Sequence, residues 1–434
     1  MTTTTHRRPQ AFTVPEHTPG PPLPLWPSLL PPSRQGDDDL CVVSAHGVRV
    51  RMLSGRELLC GTSGLWNVPL GYGDEVIADA VAEATRRSSF AGVFRFENVD
   101  ARAAAVDLIE VSAHRYERVM FTTSGGSAND AAIKLVRQYW ALEGEPARKI
   151  VVSLRDSFHG LTFGAFALTG EDLGQAVYGV DQRLIRHVDV GDVDALSRLV
   201  RGSRGQLAAI ILEPVMGTGT VPLDPVFLDA VSEMCRQSGA LLIADEVATG
   251  FGRTGPMFAT TAWEHRPDLL ITSKGLTNGT VAASAILVGD RVAAAFERTG
   301  AVLAHAETQA GTAASSAAIV ATIARFRELD VLRRGVRTAE ELTEELDALV
   351  RDETDVVGRR GAGCFQSVTV RDAHGVPIDS DGVVQLVDAA RAAGVIVHPG
   401  PHGIQFIPAL VSTQDDIREL VGGVRAALAA LRSA

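Results

Sequence analysis

Four short apolar runs constrain this chain more than anything else in it. They are Ile150-Val-Val-Ser-Leu154, Ala208-Ala-Ile-Ile-Leu212, Ala240-Leu-Leu-Ile-Ala244 and Leu269-Leu-Ile-Thr272. Each has the length of a strand, and each is apolar at nearly every position rather than at every second one. Such a strand needs cover on both faces. A helical pattern, Pro225–Ser238, separates two of them. The expectation is an α/β fold whose mostly parallel sheet lies between layers of helix. Val119-Met-Phe-Thr-Thr123 and Ser284–Val288 read as further strands, and Asn129–Ala141 as a covering helix.

The flanks read differently. Residues 1–38 are rich in Thr and Pro and cannot bury a core, so they read as an extended arm. Leu23, Leu25, Trp26, Leu29 and Leu30 within it could dock on a neighbouring surface. Val42-Val43, Val48-Arg-Val50-Arg-Met52 and Leu58-Leu59, with a Ser54-Gly55 turn, predict a small antiparallel meander. Gly61-Thr-Ser-Gly64-Leu-Trp66-Asn67 follows as a loop carrying a large aromatic. Asp74 opens an amphipathic helix through Val76, Ile77, Ala80, Val81 and Ala84, and a second helix covers 99–113. Beyond about 312 the pattern predicts helices at Thr312–Leu332 and Val336–Arg351. A small α+β unit follows, with strands at Phe365–Arg371 and Val395–His398 and helices at 381–393 and 413–432.

Bulk properties exclude several functions. A net charge of -11 without a basic run argues against nucleic acid and against anionic membranes. No apolar run reaches the ~18 residues of a membrane span, and no signal core opens the chain. Cys41, Cys60, Cys235 and Cys364 are scattered and lack metal spacing. They read as reduced thiols of a cytoplasmic protein, and no metal site is expected.

Open α/β sheets bind ligands beyond the carboxyl ends of their strands. The residues that follow each strand here are Ser124-Gly125-Gly126-Ser127, Asp156-Ser-Phe158-His159-Gly160, Glu213-Pro214, Asp245-Glu246 and Ser273-Lys274. The first is a glycine-rich turn at a helix start, where free N–H groups favour an anion. It is neither a Walker loop nor a dinucleotide fingerprint. Asp245 ends an apolar strand and needs a partner: a protonated ring nitrogen, a helix cap, or an internal cation such as Arg253. Phe158 could stack on a planar ring or only pack in the core. Trp66 could wall a pocket or staple two units together. His159 reads more readily as structural than as a base.

Lys274 is one of three lysines, with Lys134 and Lys149, in a chain whose other cations are arginine. Lysine can lose its proton when desolvated and attack a carbonyl, which arginine cannot do. A phosphorylated, protonatable ring bearing an aldehyde reconciles all these strand ends. That ligand is pyridoxal 5'-phosphate (PLP).

With these motifs in hand, the chain resembles the class III aminotransferases, in the fold type I group of PLP enzymes. The resemblance rests on Ser124-Gly-Gly-Ser-Ala-Asn-Asp130, Phe158-His159-Gly160 and Leu212-Glu213-Pro214-Val215. It continues through Asp245-Glu-Val-Ala-Thr-Gly-Phe-Gly-Arg-Thr-Gly255 and Asp268-Leu-Leu-Ile-Thr-Ser-Lys274-Gly-Leu276. It implies a large domain with a mostly parallel seven-stranded sheet, at 73–311, and a smaller α+β domain. The latter would combine 39–72 with 312–434. It implies Lys274 as Schiff-base lysine and proton shuttle, Asp245 on the pyridine nitrogen, and Val247 under the ring opposite Phe158. Gly125 and Gly126 would hold the phosphate. Thr308 would reach the phosphate of a neighbouring subunit, in a homodimer with shared active sites.

The departures bear on substrate. Ser127 stands where the family's phosphate loop has an acid. Gly311-Thr312-Ala313 replaces a Gly-His/Asn-Pro, and Thr280-Val-Ala-Ala replaces a Tyr-x-Pro. Members that use glutamate carry an arginine where this chain has Gln405. That arginine clamps the substrate carboxylate and pairs with the residue matching Glu213. Gln405 cannot supply a charged fork. Arg253, Arg95 and Arg391 are alternative carboxylate binders; otherwise the donor lacks an α-carboxylate.

The resulting expectation is ping-pong transamination between an amine or amino-acid donor and an aldehyde or ketone acceptor. A role in specialised metabolism, including amination of a modified peptide end, is a further expectation. A decarboxylase, mutase or epimerase of the same fold shares these motifs, and a non-catalytic scaffold is the remote alternative.

Overall fold

A computed structural model describes residues 24–433. Leu23 and the rest of the arm before it lie outside the described residues. The arm's remainder contains a short turn, Pro32–Arg34. Arg34 ties it down with two 3.0 Å hydrogen bonds to Asp388. Leu25, Trp26 and Leu29 are exposed rather than docked on this chain.

The central sheet has seven strands. Their order is Arg118–Thr122, Ser284–Val288, Leu269–Thr272, Leu241–Asp245, Leu207–Leu212, Ile150–Leu154, Ile185–Val188. Ser284–Val288 runs antiparallel to both neighbours, and all other pairings are parallel. The four apolar runs are buried along their length, and alternate side chains feed opposite faces. Val151, Ile211, Ile243 and Ile271 pack with the helix Gly125–Leu142. Val152, Ile210 and Leu242 pack on the other face with Phe227 and Val231 of Pro225–Ser238. Asp224 caps that helix, Pro225 opens it, and Gly239 ends it at φ 72°.

The edge strand Ile185–Val188 is not evident from sequence, because Arg186 and His187 interrupt its apolar pattern. Parallel pairing with Ile150–Leu154 holds it. The helix expected from Asn129 begins at Gly125, so the glycine turn is itself the first helical turn. The helices expected at Thr312–Leu332 and Val336–Arg351 run instead at Ala313–Glu328 and Val331–Asp352. Asp330 divides them in a left-handed conformation, φ 49°.

The expected strand Val395–His398 splits between two sheets. Val395–Ile396 joins Glu57–Cys60 in parallel and completes the meander. His398–Gly400 joins Gly403–Phe406 in a second four-stranded sheet with Phe365–Val370 and Val356–Ala362. Helix Gln414–Arg432 packs Leu420 and Val424 into a core shared by Leu59, Val395 and Ile404. The N-terminal meander and the C-terminal segment therefore bury one another. Among the described residues no helix is long and apolar enough to cross a membrane. The four cysteines are free, with only Cys41 exposed.

Candidate active site

The carboxyl ends of the central strands surround a cavity of about 330 Å³. Trp66, Ser124, Gly125, Gly126, Phe158, His159, Glu213, Asp245, Val247 and Lys274 all line it. Thr308 and Gln405, also expected at the site, are not in its wall.

One end is built for an anion. Ser124 caps helix Gly125–Leu142: its Oγ accepts from Ser127 N–H at 3.2 Å, while Ser127 Oγ accepts from Ser124 N–H at 3.0 Å. The amides of Gly125 and Gly126 open the helix, where carbonyl partners are lacking and the dipole is positive. A Cβ on Gly125 would sit 3.0 Å from both Val247 methyl carbons. Gly160 is tighter: at φ +122° its Cβ would lie 2.6 Å from Gly126 Cα. Side chains are excluded there because two backbones and Val247 converge.

Asp245 is the last residue of its strand and only 3% exposed. Its Oδ2 accepts from Asn129 Nδ2 and bonds His159 Nδ1, both at 2.8 Å, and its Oδ1 accepts from Val247 N–H at 3.1 Å. Burial opposes a charge on His159, but the hydrogen bond and charge of Asp245 outweigh it and raise the imidazole above its ordinary value. The expected alternative partner, Arg253, is elsewhere: its guanidinium donates to the carbonyls of Pro408 and Cys364 and to Ser63 Oγ. Asn129 has no role in the sequence reading. Its one signal is an amide amid the alanines of a buried helix face, Ala128, Ala131 and Ala132.

Lys274 follows its strand in a left-handed conformation, φ 45°, which costs a non-glycine residue about 1–3 kcal/mol. Burial pulls its ammonium down to about 8, against the opposing pull of Asp245 and Glu213. Its Nζ lies 4.5 Å from the Trp66 ring centroid. Trp66 both walls the cavity and joins segments, since its ring packs 5.0 Å from Phe365 and 5.1 Å from His398. Burial, then the charge of Lys274, pushes His398 down to about 4.

Glu213 also lines the cavity. Its Oε2 accepts from Phe158 N–H and its Oε1 from Gly217 N–H, both at 2.9 Å. Burial raises this carboxyl to about 7; His159 opposes the rise and Asp245 adds to it.

A family model described as "Aminotransferase class-III" matches residues 33–428. The acetylornithine aminotransferase of Xanthomonas campestris pv. campestris is 31% identical over 391 residues, 89% of this chain and 92% of that protein. The chain belongs to the class III aminotransferases. Among solved structures, an (S)-enantioselective omega-transaminase from Thermomicrobium roseum superposes with a TM-score of 0.89 at 29% identity, covering 94% of this chain and 96% of that one. A PLP-bound amine transaminase from an uncultivated Pseudomonas species gives 0.87 at 28% identity, covering 94% and 99%. This aminotransferase uses PLP. The residues present suit that coenzyme: an anion cradle that a Cβ would fill, a buried carboxylate for a ring nitrogen, and a desolvated amine.

The substrate end departs from the family pattern. Gln405 is 2% exposed, and its Nε2 donates to Gly217 O at 2.8 Å, so it braces the loop rather than facing the cavity. None of the three alternative arginines lines the cavity. Arg253 is buried among carbonyls, Arg391 pairs with Asp388 at 2.7 Å, and Arg95 lies 5.6 Å from the Phe94 ring. Thr308 lines a separate hollow with Phe90, Phe94 and Phe96. Beside it, Glu307 Oε2 accepts from Thr123 N–H at 2.9 Å, which ties that segment to the anion end.

Proposed function

We propose that this aminotransferase takes its amino group from a primary amine without an α-carboxylate and gives it to an aldehyde or ketone remote from a carboxylate. One observation carries this reading: among the described residues no arginine lines the cavity with Glu213, while Gln405 is turned onto Gly217 O. A substrate carboxylate would meet an acid there and no charged fork.

The coenzyme supplies an aldehyde that captures amines and a ring that draws in electrons. Lys274 Nζ is read as the group that holds that aldehyde and then carries the proton to and from the substrate carbon. With its pKa near 8, a useful fraction is neutral near neutral pH. Asp245 keeps the ring nitrogen protonated, with His159 and Asn129 holding its carboxylate in place. Phe158 and Val247 would flank the ring, and Ser124, Gly125 and Gly126 would hold the phosphate. Exposed Phe90, Phe94 and Phe96 around Thr308 support a homodimer in which Thr308 serves the neighbouring site. The free thiols support a cytoplasmic setting.

A donor panel of primary amines and L-amino acids, run on wild type and Gln405→Arg, tests this. The wild type is expected to favour amines. Gln405→Arg is expected to raise L-glutamate use about tenfold, worth ~1.4 kcal/mol. L-Glutamate as the best wild-type donor would overturn the reading.

A further inference from the structure

The substrate end of the cavity has an unusual balance of charge. The ionisable side chains in its wall are His159, Glu213, Asp245 and Lys274. His159 and Asp245 bond each other, and Lys274 is the group read as holding the coenzyme. Glu213 is left as an acid whose hydrogen-bond partners, among the described residues, are main-chain only, one N–H on each oxygen. A carboxylate offers about four acceptor positions, so two remain.

The space beside it is also defined. A Cβ placed on Gly217 would lie 3.2 Å from Glu213 Oε1 and 3.3 and 3.4 Å from two carbons of the six-membered ring of Trp66. Those contacts are tight, so Gly217 lies directly between an acid and an indole, and its lack of a side chain leaves both facing the cavity. Those are the two groups that attract an ammonium most strongly. Trp66 already shows this affinity, since Lys274 Nζ lies 4.5 Å from its ring centroid. Gln405 holds the Gly217 carbonyl and keeps the loop in this position.

We propose that Glu213, Trp66 and Gly217 form a subsite for a second protonated amine, so that the preferred donors are diamines. This rests on the transfer reading above and narrows it. The reacting amine goes to the coenzyme, and the distal ammonium replaces the arginine that Glu213 lacks. A carboxylate in the same place would be repelled.

The test compares 1,4-diaminobutane and 1,5-diaminopentane with 1-aminobutane and 1-aminopentane as donors to the PLP-loaded protein. Loss of the coenzyme's visible band and chromatographic release of pyridoxamine phosphate follow the first half-reaction. Wild type is expected to favour each diamine over its matched monoamine by about tenfold or more in rate over Kd. Glu213→Gln should bring the ratio close to one. Gly217→Ala sets a methyl against both the acid and the indole and should do the same, which keeps the test open if one variant does not fold. Equal use of the paired amines by wild type overturns the proposal, as does a preference that survives both substitutions. If no amine releases pyridoxamine phosphate, the transfer reading fails separately. Calorimetric binding of the paired amines to the loaded wild type and Glu213→Gln then decides the subsite by the same ratio.

Discussion

The cavity wall holds two buried acids, Asp245 and Glu213, and their surroundings treat them in opposite ways. At the coenzyme end Asp245 is held by His159, Asn129 and the Val247 amide, three partners from three segments. At the substrate end Glu213 has two main-chain amides and no side-chain partner. The first is held in one orientation by partners from three segments. The second has two amides as hydrogen-bond partners, and burial raises it to about 7 against the opposing charge of His159. The first environment commits the protein to one coenzyme. The second leaves the substrate to be chosen by charge.

Substitutions at the coenzyme end should therefore be the more severe. Lys274→Ala has the largest expected effect: loss of the bound coenzyme's visible band and a fall in turnover of about three orders of magnitude or more, read with any competent donor. Ordinary activity in that variant would erase the distinction between the ends. Gly160→Ala comes next, because it sets a Cβ 2.6 Å from Gly126 Cα at φ +122°. Urea unfolding should show a loss of about 2–4 kcal/mol. Gly358→Ala, with nothing within 4 Å of its added carbon, should cost less than about 0.5 kcal/mol. Similar losses in the two would mean that the cradle is not close-packed.

A gentler probe is the pH dependence of PLP capture by the coenzyme-free protein. The attacking amine must be unprotonated, so the rate rises with pH. With Lys274 pulled down to about 8, the rate should climb about tenfold between roughly pH 7 and 9 and then level. A rate still climbing steeply past about pH 10 would mean that burial leaves the amine at its ordinary value.

The same division runs through what the sequence discloses. Strand ends are legible because an apolar run stops at a polar residue, as at Leu212-Glu213, Ala244-Asp245 and Ser273-Lys274. The run predicts the strand, and the sheet then brings distant ends to one rim. Contacts that depend on where loops fold back are not legible. Nothing local marks Gly217 as the loop residue between Glu213 and Trp66, or sends the Gln405 amide to its carbonyl. Asn129 lies inside a quoted motif, yet its bond to Asp245 spans helix and strand. Trp66 reads as a wall or a staple; its place between Lys274 and Phe365 makes it both. The split of 395–400 between two sheets is hidden because Val395-Ile-Val-His398 is a continuous strand pattern. Thr308, in its separate hollow, shows nothing about the cavity within one chain.

Transfer of an amino group to the coenzyme from a donor with no α-carboxylate, through Lys274 and the groups around it, is tested by mixing PLP-loaded protein with one simple primary amine and no acceptor and quantifying pyridoxamine phosphate after denaturation. The expected result is one pyridoxamine phosphate per subunit and release of the matching aldehyde. No pyridoxamine phosphate from any primary amine, alongside CO2 release from an amino acid, would contradict it.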